Sequence, residues 1–379
     1  MDLGQMPKIL QCFGAMEEEG YSHIVLERAG CSLKEFIWAL GHKPVDHENS
    51  KTKKFLKDNT KFEVGYSRYL HPNIINIIKD YMEVVAHLHK KKIRHLNITP
   101  DNILLFGDGK SGVTAKLANF TFYHKSDRLL SVNDGTTGFR CPERLLGQPE
   151  GFTSDVFSVA LVTAHVISGG NHPYGKTADV EQCEENIKLG KRYKRFTDTL
   201  SEIAVDFLKD MLAPDPTQRP EIKTMLQHPL LWDKEKRADF LCEVNNMLQE
   251  LPVNSAEVVH LDSFNNDVIT DWVYDGWLDR FHHDFLNEVT FQNNGFKYRW
   301  FELRELFRFV RNMLQHFNYY SLFMGSSLYS AYEYLLDELP KLILISYEIV
   351  KQGNHAESDR FKRFFKEAHC FDQDEEILN

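Results

Sequence analysis

Residues 73–92 read NIINIIKDYMEVVAHLHKKK, and their spacing leaves little choice of structure. Ile74, Ile77, Ile78, Tyr81, Val84, Val85 and Leu88 recur every three to four positions, which predicts a long helix with one buried face. The last turn is cationic and suits the negative end of a helix dipole. Two short apolar strands follow, NILLFG and AKLANF, joined by the glycine-rich turn GDGKSG. Upstream, YSHIVLERA (21–29) reads as a strand. CSLKEFIWAL then starts a helix in which Ser32 and Glu35 form a capping box. From 153 onward the pattern is mainly helical, with loops at SGGNHPYGK and APDPTQRP. It loosens over 251–262 and becomes helical again to about 352. The expected class is α+β, mostly α.

The chain has 379 residues, enough for two domains, and 42% of them are hydrophobic, so a packed core is expected. A net charge of −10 argues against a surface that binds nucleic acid everywhere, while leaving room for one local basic site. The six cysteines (12, 31, 141, 183, 242, 370) form no CxxC pair, which speaks against a zinc ribbon or redox motif. Such scattered thiols fit a reducing compartment. There is no run of 18 uncharged apolar residues, and the first ten residues do not read as a signal peptide. The expectation is a cytoplasmic chain without a membrane segment.

Six motifs then follow in order: HLNITPDN from His95, ANF at 118–120, CPE at 141–143, SDVFSVA with Asp155, HPYG at 172–175, and Arg219 in DPTQRP. In this order they resemble a protein kinase over about residues 20–232, with a C-terminal lobe and only a stub of the N-terminal one. A kinase needs one carboxylate to take the proton of the attacking hydroxyl and another to hold Mg²⁺. Those positions are Asn97 and Asn119, and an amide is neither a base near neutral pH nor a good ligand for a hard dication. Thr99 stands where a lysine is usual, and only Asn102 matches an active kinase's metal ligand. No G-x-G-x-x-G precedes them. The expectation is a pseudokinase scaffold over 1–232, with ATP or ADP binding doubtful.

HPLLWDKEKRADFLCEVNNML (228–248) runs directly from this domain into another helix. That join resembles the kinase-extension nuclease family, to which the unfolded-protein-response sensor kinase and RNase L belong. The family carries a Tyr, an Arg-Asn pair thirteen residues on, and a His five after the Arg. Tyr298, Arg311, Asn312 and His316 meet that spacing. LPKLILISYEIV (339–350) resembles the family's closing helix, and Trp277 fits an expected upstream Trp better than Trp272. Glu305 takes a place where Asp is commoner. The implied plan is an all-α nuclease domain over 233–353 and a polar, partly mobile tail over 354–379.

Residue chemistry agrees with this plan. Leu303, Leu306, Phe307, Val310 and Leu314 make a core-facing stripe, and Asn312 and His316 lie on neighbouring turns. Lys297, Arg299, Arg304, Arg308 and Arg311 oppose Glu302 and Glu305, which predicts a positive patch suited to a phosphate backbone. RNA cleavage by 2′-hydroxyl attack needs no metal. The roles expected are His316 as acid, Tyr298 to deprotonate or orient the 2′-hydroxyl with help from nearby cations, and Arg311 and Asn312 to hold the phosphate. The family resemblance implies an RNA substrate and a homodimer. HLH (87–89) and HHD (282–284) lack zinc-site spacing. The alternatives are a Ser/Thr kinase with unusual residues and a non-catalytic scaffold.

Overall fold

The computed structural model describes residues 8–41, 52, 54–55, 71–107, 112–125, 130–264, 281–292, 298–299 and 301–366. Trp272, Trp277, Lys297 and Cys370 lie outside them. The chain forms two compact units, one running to Leu231 and the other from Trp232 to Cys370.

The first unit begins with an antiparallel hairpin, β1 (Cys12–Glu18) and β2 (Tyr21–Leu26). Its core sheet is β3 (Cys31–Ser32), β4 (Ile103–Gly107) and β5 (Val113–Leu117), all antiparallel. The capping box forms as expected: the Ser32 N–H donates to Glu35 at 2.8 Å and the Glu35 N–H to the Ser32 hydroxyl at 3.2 Å, opening α1 (Leu33–Gly41). The long helix α2 runs Pro72–Lys90, with proline at its first turn and His71 as side-chain cap. Ile77, Ile78, Tyr81, Val84, Val85 and Leu88 are fully buried. Helix α3 (Phe152–Ile167) is buried from Ser154 to Val166 and brings Asp155 into the interior, followed by α4 (Val180–Lys188) and α5 (Glu202–Met211). Buried thiols act as small apolar groups here, with burial pushing Cys31 up to about 12 and Cys183 up to about 11.

The second unit is helical: α6 (Lys234–Glu250), α7 (Ala256–Ser263), α8 (His283–Gln292), α9 (Leu303–Gln315), α10 (Leu328–Glu338) and α11 (Leu342–Gln352). Helix α7 falls where the sequence pattern loosens. Ser255 supplies the missing signal, because its hydroxyl accepts from the Val258 N–H and caps a helix too short to show a clear stripe. Part of the polar segment after 353 is packed. Phe361, Phe364 and Phe365 are buried against Phe240 and Trp232, and the second unit keeps this stretch. Three phenylalanines spaced inside a charged run outweigh its mean polarity. Among the described residues, no helix is long and apolar enough to cross a membrane.

Candidate active site

Helix α9 carries three of the four candidate residues at or beside its C-terminal end. Leu303, Leu306, Phe307, Phe309, Val310, Met313 and Leu314 are buried, so the helix is sunk in its unit and only a narrow strip can reach solvent. Arg311 and Asn312 lie in that strip, half-buried. His316 is the first residue past the helix, its N–H still bonded to the Asn312 carbonyl at 3.0 Å, and its side chain is exposed.

Three side chains form a hydrogen-bonded row. Arg311 Nη1 donates to Asn312 Oδ1 at 3.2 Å, and Asn312 Nδ2 donates to the Tyr298 hydroxyl at 3.2 Å. The His316 side chain is not joined to this row by a hydrogen bond among the described residues; its ring lies 6.1 Å from that of Tyr319. Tyr298 is only 5% exposed, its ring edge-on to Phe309 at 5.4 Å. Burial pushes its phenol above the ordinary value, outweighing the Asn312 hydrogen bond and the Arg308 charge, which act the other way. The expectation that nearby cations would ready this phenol for deprotonation is therefore corrected: it is a neutral hydroxyl near pH 7.

The positive patch expected between 291 and 316 is also largely spent. Arg304 Nη2 donates to the carbonyls of Leu248 and Leu251, satisfying the end of α6. Arg299 pairs with Glu302 at 2.9 Å and reaches Glu305 at 3.5 Å; Arg308 pairs with the buried Glu305 at 3.3 Å. Arg311 forms no ion pair among the described residues, and its Nε is buried without a partner. Among the described residues of the patch, the guanidinium without an ion pair is that of Arg311, next to Asn312 and Tyr298. Sequence spacing found that residue; it did not foresee that Phe309 underlies Tyr298 or that Glu305 holds two arginines.

The kinase-like positions form a second cluster in the first unit. Asp155 is fully buried and accepts from the backbone N–H groups of His95 and Leu96 at 2.8 Å each, with His89 Nε2 at 3.0 Å. Burial alone would raise its carboxyl, but these bonds, His89 foremost, bring it below the usual carboxylate range. Asn97 Oδ1 accepts from Thr136 at 3.1 Å. Asn102 Nδ2 donates to the Asn97 carbonyl at 2.8 Å, and Asn119 Nδ2 donates to Asn102 Oδ1 at 3.2 Å. Thr99 is buried, its hydroxyl without a partner among the described residues. The set offers neutral amides, with one amide N–H aimed at the oxygen a magnesium ion would need, so it does not suit Mg²⁺. An open cavity of about 790 Å³ lies beside β3 and β4, bounded by Gly30, Cys31, Leu104 and Phe106, with Arg28 the cationic wall residue among those described. The histidine runs are otherwise engaged: His89 meets Asp155, His282 pairs with Asp284 at 3.6 Å, and His283 bonds Asn287 at 2.9 Å.

A protein kinase domain model matches residues 1–231, and a "Ribonuclease 2-5A" model matches 237–365. The chain belongs to the kinase-extension nuclease family. Within that family it is similar to "Serine/threonine-protein kinase/endoribonuclease IRE1b" of Arabidopsis thaliana, 25% identical over 90% of this chain and 40% of that protein. It is also similar to "Sensor for unfolded proteins in the ER ire1" of Schizosaccharomyces pombe, 24% identical over 95% of this chain and 34% of that one. An Arabidopsis thaliana "Inactive serine/threonine-protein kinase/endoribonuclease IRE1-like" is 25% identical over 81% of this chain and 58% of its own length. The chain therefore spans roughly a third to somewhat over half of these relatives.

Proposed function

We propose that this chain is a metal-independent endoribonuclease carried on a pseudokinase. The observation that carries the reading is the row Arg311–Asn312–Tyr298, which sets a guanidinium with no ion pair among the described residues beside two neutral hydrogen-bonding groups at a helix end that exposes an imidazole. Arg311 takes the non-bridging oxygens of a phosphodiester, with Asn312 as a neutral donor. Tyr298 stays protonated and orients the ribose 2′-hydroxyl. The 2′-oxygen forms a bond to phosphorus, its proton passes to water, and the P–O5′ bond breaks. His316 gives a proton to the leaving 5′-oxygen. The products are a 2′,3′-cyclic phosphate and a 5′-hydroxyl, and DNA, lacking the 2′-hydroxyl, is spared. The kinase-like unit contributes no phosphoryl transfer, because Asn97 and Asn119 supply neither base nor metal ligand; a nucleotide in its cavity would be a ligand only. Cleavage depends on pairing of two copies.

Stem-loop RNA incubated with concentrated protein in EDTA tests this. The parent yields fragments ending in cyclic phosphate, and His316→Ala does not. A specific rate that falls on dilution supports pairing, and one that does not overturns it. Equal cleavage by parent and His316→Ala removes the assignment, and absence of cleavage at every concentration leaves a scaffold.

A further inference from the structure

We infer that residues 189–195 of the kinase-like unit form a second, non-catalytic docking site for the phosphate backbone of single-stranded RNA, with Tyr193 as its stacking platform. The inference rests on the proposal that RNA is the substrate. The stretch reads LGKRYKR and follows α4 directly. It puts four cations in five positions of a chain whose net charge is −10. All four are exposed, as are Leu189 (62%) and Tyr193 (37%).

The segment is fixed at its backbone and open at its side chains. Gly190 turns the chain at φ +63, the Lys191 N–H donates to the Asn186 carbonyl at 2.8 Å, and the Tyr193 N–H donates to the Pro173 carbonyl at 2.8 Å. Phe196 is buried just beyond, which anchors the exit. Arg192 is used as an anchor as well: its Nη2 donates to the Lys209 carbonyl at 2.6 Å, and it lies beside the Tyr174 hydroxyl. Lys191, Lys194 and Arg195 form no ion pair with any described residue. Their neighbours behave differently. Lys188 pairs with Glu185 and Lys209 with Asp206, each at 2.6 Å across a helical turn. The chain pairs those flanking lysines and leaves Lys191, Lys194 and Arg195 exposed without an ion pair among the described residues, open to an anion.

The single aromatic between two cation pairs points to the class of partner. Cations on both sides of an exposed aromatic ring suit a strand that presents phosphates at the spacing of its bases. Each phosphate contact releases a counterion, and a base on the ring adds sequence-independent affinity.

The test uses the full chain and a fluorescent 2′-O-methyl RNA, which cannot be cleaved, so the outcome does not depend on nuclease activity. Binding is followed by anisotropy across a salt series. The triple variant Lys191→Gln, Lys194→Gln, Arg195→Gln is expected to bind about tenfold more weakly at low salt. Its slope of log K against log salt should be smaller by about 2, at roughly 0.7 per lost single-strand contact. Tyr193→Ala should weaken binding severalfold with the slope unchanged. An unaltered melting temperature confirms that the variants fold. Parent-like affinity and slope in the triple variant overturn the proposal. So does a loss confined to anionic phosphatidylserine vesicles with RNA binding intact, which would assign the segment to a membrane surface. Failure of the nuclease reading shows separately, as uncleaved natural RNA with this binding unaffected.

Discussion

The Arg308 guanidinium lies over the ring of Tyr298, 5.1 Å from its centroid, and is held there by an ion pair with the buried Glu305. The two residues are ten apart in sequence and meet because α9 presents Arg308 one turn before Arg311. A cation over an aromatic face contributes about 0.5–2 kcal/mol. Here it also fixes the ring whose hydroxyl accepts from Asn312. Arg308→Met is expected to lower kcat/KM for RNA roughly two- to thirtyfold, following from that energy. Arg308→Lys should recover part of the loss. Steady-state cleavage kinetics on folded variants check it, and an Arg308→Met enzyme with parental kinetics would show that the stacked cation is packing alone.

Acid should weaken the kinase-like unit through His172. Its ring is buried, Nε2 donates to the Gly138 carbonyl at 2.8 Å, and Nδ1 accepts from the Tyr174 N–H at 3.2 Å, an arrangement only the neutral ring can make. Burial pushes this imidazole down to about 4. The unfolded chain therefore binds a proton first. Stability is full above the unfolded value of about 6.5 and falls as pH drops from there toward about 4, by up to roughly 3 kcal/mol. Denaturant melts at several pH values should show this loss, and His172→Asn, though less stable at pH 7, should have a flatter profile below pH 6.5. Parallel profiles would place the acid sensitivity elsewhere.

Asn119 gives a prediction about metal. Its amide N–H donates to Asn102 Oδ1, and Asn119→Asp replaces that donor with a carboxylate facing an oxygen. On an exposed residue the cost is about 1 kcal/mol or less. Two hard oxygens then point at one spot, and Mg²⁺ should restore the loss. Thermal melts of the variant with and without millimolar Mg²⁺ check this. A parent protein that is itself specifically stabilised by Mg²⁺ would contradict the reading of the amide cluster.

The aromatic plug after α11 makes a prediction about stability. Phe361 is 1% exposed and packs on Phe240 with ring centroids 5.7 Å apart. Phe361→Ala should cost about 3–5 kcal/mol. Differential scanning calorimetry should show the loss in the helical unit's transition. A shift small enough to suit a surface residue would mean that the segment is only loosely attached.

Much of this was legible in the sequence, and the exceptions have a common cause. The 73–92 periodicity, the Ser32–Glu35 capping box and the order of motifs through Arg219 are local signals or strings of them. The structure adds how those motifs hold together, as in the buried pair of Arg219 with Glu143, 2.8 Å at both nitrogens. The positive patch misled because the partners that consume it lie far away or need helix geometry to be seen: the carbonyls of Leu248 and Leu251 for Arg304, and Glu305 for Arg299 and Arg308. Tyr298 misled for the same reason, since proximity of cations is visible in a string of letters and burial against Phe309 is not. Helix α7 was missed because eight residues give too few turns for periodicity to declare itself.

Leu96 adopts φ +62, a left-handed conformation that disfavours a branched side chain, and Asn119 does so at the same angle. The first is imposed from α3, where Asp155 grips two successive amide hydrogens. The bend of the 95–102 loop therefore does not depend on what stands at 97 or 99. That grip reaches the backbone and not the side chains at 97 and 99, so the contour of the loop carries no information about which chemical groups stand there.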